Sequence, residues 1–146
     1  MKLLRWILFL PASIVGMYLI YWFAILQCMI ASNTIGSGWD WELFNSTHIT
    51  WGNVVNWTLT NGFSGAGFVF AGCYVAPVKN KTSLSIILCV LNAFISGSSL
   101  ALSLYTMGGL YAKYVISIAA STIGAVAVAV GYYKYNGDTE ELLDNI

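Results

Sequence analysis

Charge is what this sequence most conspicuously lacks. Only 8% of its 146 residues are charged, six basic and six acidic, against about 25% in an ordinary soluble domain. So few charges cannot furnish a water-soluble surface, but a surface solvated by lipid needs none. The formal net charge is zero, so nothing favours nucleic acid or an anionic substrate as partner. Histidine occurs once, at His48, and cysteine three times. No CxxC or Cys/His spacing exists to hold a metal. Cys28, Cys73 and Cys89 all fall in apolar stretches, where cysteine acts as a small packing residue. No nucleotide or cofactor motif is present, and no cofactor is expected.

What is present is long apolar sequence. Uncharged stretches run from about Trp6 to Ala31, Val54 to Val78, Ser83 to Thr106 and Tyr114 to Tyr133. Each reaches the roughly 20 residues that an α-helix needs to cross hydrocarbon about 30 Å thick. The expected fold is therefore all-α, an integral membrane bundle of four transmembrane helices within residues 1–135. Residues 32–53 form an exterior loop, and 136–146 a short acidic cytoplasmic tail. The loop and tail are too small for a second folded domain.

The N-terminal Met1–Arg5 segment followed by an apolar run resembles a secretory signal peptide. The run is longer than the 7–15 residues of a signal h-region and lacks a small-x-small site, so a retained signal anchor is expected. Leu26-Gln27-Cys28 departs from a lipoprotein cleavage box at Gln27.

Orientation follows from the basic residues. Lys2, Arg5, Lys79, Lys81 and Lys134 fall on one side of a four-crossing layout, and only Lys113 on the other. Lys and Arg favour the cytoplasm, so both termini are expected there, in a plasma membrane or bacterial inner membrane. Lys113 can snorkel to the headgroups. Trp6, Trp22, Trp51, Trp57, Tyr105 and Tyr133 gather near span ends, as amphipathic rings do. Pro77 and Gly137 are expected to stop the second and fourth spans. Thr50 is expected to cap a helix that enters the second span.

Helix association in lipid needs close backbone approach and interhelical hydrogen bonds. In the third span, Ser85, Cys89, Asn92, Ser96, Ser99 and Ser103 recur at spacings of three and four, which places them on one face. Gly62, Gly65 and Gly72 in the second span, and Ser117, Gly124 and Gly131 in the fourth, follow a similar rhythm. Spans two to four are therefore expected to pack tightly. The first, rich in Tyr18, Tyr21, Trp22 and Phe23, is expected at the periphery. Asn92 must bond to another helix, with Ser64 and Ser121 at suitable depth. Packing glue is one reading of the third-span seam. The other is the lining of a pore formed by several copies.

In the exterior loop, Trp39 and Trp41 alternate with Asp40 and Glu42. This segment is a candidate contact surface, resting on lipid or on a partner. The loop sequon Asn45-Ser46-Thr47 and a second at Asn56-Trp57-Thr58 match the N-glycosylation pattern. In the tail, Asp138 with Leu142 and Leu143 resembles an acidic dileucine sorting signal, and Asp144-Asn145-Ile146 a PDZ-binding terminus. Either would make the tail a docking element for a cytoplasmic partner.

Four crossings with a long first exterior loop resemble the tetraspan layout of claudins. The loop lacks the paired cysteines of those families, so the likeness is one of layout and transfers no residue role.

These features point to a non-enzymatic accessory or assembly subunit. Its expected partners are membrane lipid and either further copies of itself or other membrane proteins. A small oligomeric channel is the alternative. An enzyme is not expected, because no His or Lys lies in any apolar core to activate the serines there. Ion-coupled transport commonly uses an intramembrane ionisable residue, and the apolar cores contain none.

Overall fold

A computed structural model describes residues 2–34, 51–78, 81–107 and 112–144, and every regular element among them is helical. Helix α1 spans Lys2–Thr34, α2 Trp51–Val75, α3 Lys81–Met107 and α4 Ala112–Asp144. At 1.5 Å per residue, even the 25-residue α2 is about 38 Å long, more than the hydrocarbon thickness.

Three of the helices are long and apolar enough to cross a membrane, over Ile7–Ile30, Lys81–Thr106 and Ala112–Tyr135. Helix α2 falls outside that group. Its asparagines, threonines and glycines lower its mean hydropathy, and the expectation of equal apolar character in all four stretches was too broad. Most of its polar and small residues face inward, Thr58 and Gly52 excepted. Asn53, Asn56, Thr60, Ser64, Gly65 and Gly67 are all buried, whereas Val55, Leu59, Phe63, Phe70 and Tyr74 are exposed. Phe70 and Tyr74, one turn apart, stack with centroids 6.4 Å apart.

Helix α2 is the hub. It touches the other three helices, α3 also touches α4, and α1 approaches only α2 among the described residues. The contact of α1 with α2 is the most extensive between described helices, yet α1 reaches no other described helix and so stands at the edge of the bundle, firmly packed on α2. A single glycine suffices. A Cβ at Gly16 would run into Ala71 and crowd the Gly67 carbonyl, and one at Gly67 would strike Ile20. The large residues of α1 point elsewhere, with Tyr18, Trp22 and Phe23 exposed.

The α2–α4 contact is backbone on backbone. A Cβ on Gly65 would collide with the Ser121 carbonyl, and one on Gly124 with the Gly62 carbonyl. Gly72 is closed in by Ser13 and Leu88. Gly131 is exposed, with open space where a Cβ would stand. Below these contacts lies a small apolar core of Phe68, Val69, Cys73, Leu84, Leu88 and Ala125. All three cysteines are free.

The turn between α2 and α3 is closed by a cation. Helix α2 ends at Val75, just before Pro77. The Lys81 ammonium then donates to the carbonyls of Cys73 and Ala76, both at 2.6 Å, at the end where the helix dipole favours positive charge. Two expected boundaries have different outcomes. Helix α2 begins at Trp51, the position that a Thr50 cap implies, although Thr50 lies outside the described residues. Helix α4 continues through Gly137 to Asp144 rather than stopping, since a single glycine weakens a helix by only about 1 kcal/mol.

Candidate functional site: a polar cleft among the four helices

The gap between α1 and the α3–α4 pair forms a cleft of about 430 Å³. Its floor is an interhelical hydrogen-bond system. Asn92, buried near the middle of α3, donates from Nδ2 to Ser121 Oγ at 3.1 Å and lies 3.4 Å from the Ser121 carbonyl oxygen. Of the two partners that depth suggested, Asn92 takes Ser121. Ser121 is a node, because its carbonyl is also the group that Gly65 of α2 packs against. A second link joins α2 to α4, where Asn61 Nδ2 donates to Ser117 Oγ at 3.1 Å and to the Trp57 carbonyl at 2.8 Å.

The walls combine hydroxyls, phenols and apolar side chains. Helix α3 contributes Ile95, Ser96, Ser99 and Leu100, and α1 contributes Met17, Tyr18 and Tyr21. Helix α2 adds Ser64, and α4 adds Lys113, Tyr114 and Ile118. Lys113 and Tyr114 are the second and third residues of α4, while Ser121 lies eight residues further on. The cleft therefore reaches about 12 Å along that helix, from its N-terminal end towards its middle. Ile95, Ser99 and Tyr18 are exposed and mark the mouth between α3 and α1.

The hydroxyls divide into two kinds. Away from the cleft, seven fold back onto their own helix. Ser13 donates to the Phe9 carbonyl at 2.9 Å, Ser85 to Thr82 at 2.7 Å and Ser98 to Ile95 at 2.8 Å. Thr58, Thr60, Thr106 and Thr122 donate to the carbonyl four residues back. Ser64, Ser96 and Ser99 make no such bond among the described residues, and all three line the cleft.

The third-span seam thus divides along its length. Ser85 and Cys89 lie beside the apolar core, Asn92 ties α3 to α4, and Ser96 and Ser99 face the cleft. The side chain of Ser103 lies outside the described residues, as do Trp39, Asp40, Trp41, Glu42 and His48. Asn56 is buried inside α2. Sequence reasoning did not single out Asn61, Tyr18 or Tyr21 as cleft residues. The signal for Asn61 was available, since an asparagine inside an apolar stretch needs a partner as Asn92 does. No group of three or more His, Cys, Asp or Glu residues able to hold a metal occurs among the described residues.

Comparison with known protein families, curated proteins and solved structures returns no match for this chain.

Proposed function

We propose that this chain is a non-enzymatic multi-pass membrane protein, an accessory or assembly subunit that acts through contacts with other membrane proteins or lipid. It crosses four times with both termini cytoplasmic, in a plasma membrane or bacterial inner membrane. One observation carries the reading. The outward faces of the helices are mainly apolar, whereas Asn61, Asn92, Ser117 and Ser121 turn inward to one another and to the cleft, and the exposed Thr58, Ser98 and Thr106 bond to their own helices. Only 11%, 22% and 17% of the residues in the three apolar windows are buried. Their exposed side chains include Leu19, Trp22, Val90, Phe94, Ile123 and Val130. An apolar surface this extensive calls for lipid or a partner.

Helix α2 fits the same scheme although its hydropathy is lower. Its polar face is covered by α1 and α4, and its exposed stripe of Val55, Leu59, Phe63 and Phe70 is as apolar as theirs. Polar groups inside a membrane are sustained by neighbouring helices in this way.

The channel alternative receives less support. Ser96 and Ser99 face a cleft within one chain, and the exposed face of α3 carries Ile87, Val90 and Phe94. A ring of copies built on that face would have an apolar axis, a constriction that dewets rather than conducts.

The test is isolation into native nanodiscs without prior detergent. The expected result is a carbonate-resistant chain held in a defined stoichiometric complex with another membrane protein or with retained lipid. A lone chain carrying neither would overturn the accessory role.

A further inference from the structure

We propose that the cleft binds the glycerol end of an uncharged glycerolipid of the diacylglycerol class, which enters sideways between α1 and α3. This rests on the membrane reading above and names a ligand class for it.

Unspent hydrogen-bonding capacity is the first observation. Ser64 is only 9% exposed and lines the cleft with Ser96 and Ser99, yet none of these three hydroxyls makes a hydrogen bond among the described residues. A hydroxyl surrounded by hydrocarbon ordinarily turns back to its own helix backbone, as seven elsewhere in the bundle do. Three that do not, on two different helices, each keep a donor for an occupant. Asn61, in the same lining, adds the complement. Its Nδ2 bonds Trp57, Thr60 and Ser117, and its Oδ1 accepts no bond among the described residues.

The second observation is the kind of group on offer. Three hydroxyls that donate and one amide oxygen that accepts are all uncharged. They suit a ligand that is itself uncharged and carries several oxygens close together. A diacylglycerol has one hydroxyl and two ester carbonyls on three adjacent carbons. Its hydroxyl matches Asn61 Oδ1, and its carbonyls match the serines. A sterol has a single hydroxyl and would leave most of the set unpaired, at a cost for each buried group. Lys113 also lines the cleft but has interactions of its own, and an uncharged ligand asks nothing of it.

The third is the route and the gradient of polarity along it. Helix α1 makes no close approach to α3 or α4, and the exposed Tyr18 and Ile95 mark the mouth between them. Met17, Ile95 and Leu100 supply apolar wall, whereas Ser64 and Asn61 lie inside. An amphipathic molecule fits this gradient with its oxygens inward and its hydrocarbon outward. A volume of about 430 Å³ is at the small end of ligand sites, which run from about 300 to 1,000 Å³. It takes the glycerol end and leaves the acyl chains along the outer faces of α1 and α3.

The test uses the full chain in phosphatidylcholine nanodiscs that contain a diacylglycerol with a diazirine at the start of one acyl chain. Irradiation should label the protein saturably, at one lipid per chain, and mass spectrometry should place the label around Tyr18 and Ile95. Unlabelled diacylglycerol should compete it away, and the same amount of phosphatidylglycerol or cholesterol should not. Ser64→Ala and Ser96→Ala should each weaken capture roughly three- to tenfold, and Ser96→Leu should abolish saturable labelling. Phe94→Leu, on the exposed face of α3, should leave it unchanged. Labelling that spreads evenly over the outward faces without saturating overturns the proposal. Equal competition by phosphatidylglycerol or cholesterol also overturns it, since the ligand is then an anionic lipid or a sterol. Unaltered capture in both Ser64→Ala and Ser96→Leu does the same. The competition in wild type decides the matter even where a variant fails to fold. A chain that resists carbonate extraction but shows no saturable labelling refutes this inference alone. A chain released by carbonate refutes the membrane reading as well.

Discussion

Ser121 is the residue on which the packing of three helices converges. Its hydroxyl meets Asn92 of α3 and its carbonyl receives Gly65 of α2. The two contacts differ in what their loss should cost. If the bundle spans a membrane as proposed, the Asn92–Ser121 bond belongs to a class of interhelical hydrogen bonds that average about 0.6 kcal/mol and reach about 1.7. A double-mutant cycle of Asn92→Ala with Ser121→Ala, measured by unfolding in mixed micelles, should return a coupling energy in that range. A coupling of zero would mean that the bond contributes only geometry. The glycine contact leaves no room for adjustment, because a Cβ at Gly65 or Gly124 meets backbone rather than a movable side chain. Gly65→Val should therefore cost more than the Asn92 bond, about 1–3 kcal/mol or more by overpacking. Gly131→Ala, into open space, should stay within about 0.5 kcal/mol of wild type in the same assay.

Among the elements, α2 behaves least like its neighbours. The apolar character of α1, α3 and α4 was legible in sequence because outward-facing apolar residues dominate them. The packing rhythm of Gly62, Gly65, Gly72 and Gly124 was legible too, since close backbone approach leaves small residues at helical spacing. The close packing of α1 on α2 was not. Its one essential residue is Gly16, and a lone glycine becomes a packing point only when Gly67 and Ala71 stand opposite, a fact of tertiary structure. The cleft was hidden for the same reason. Ser96 and Ser99 announce a polar face, but only the distance of α1 from α3 leaves that face open.

A prediction follows from the composition of α2. Tested alone in a membrane-insertion reporter, α2 should integrate in a minority of molecules, because its asparagines carry insertion penalties that leucine-rich helices do not. Helices α1, α3 and α4 should integrate efficiently, and placing α2 after α1 should raise its yield. Efficient insertion of isolated α2 would show that its polar face needs no shelter. Its C-terminal end depends on Lys81, so Lys81→Met should destabilise the protein by about 0.3–1 kcal/mol, and up to about 2 if the site is dry. Both carbonyls at 2.6 Å would then lose their donor.

At the scale of the whole molecule, the distribution of polarity decides between a contact protein and a conduit. A conduit needs a continuous polar path from one face of the membrane to the other. The cleft begins at Lys113 and ends on the Asn92–Ser121 pair. Beneath it stand Phe68, Val69, Leu84 and Leu88, all buried. Polar lining thus occupies one half of the bundle, and the other half holds a largely apolar plug in which the buried Ser13 and Ser85 bond to their own helices. Such an arrangement ends the polar path in the middle of the bundle. Reconstituted protein should accordingly leave planar bilayers silent across voltage and salt. Replacing the plug offers the sharper measurement, because Leu88→Ser together with Phe68→Ser would extend hydroxyls towards the opposite face. If the bundle tolerates that pair, leak of a small dye should appear in the double variant and not in wild type. Leak already present in wild type, and blocked by Ser96→Leu, would place the polar face of α3 along a conduction path and return the channel to first place.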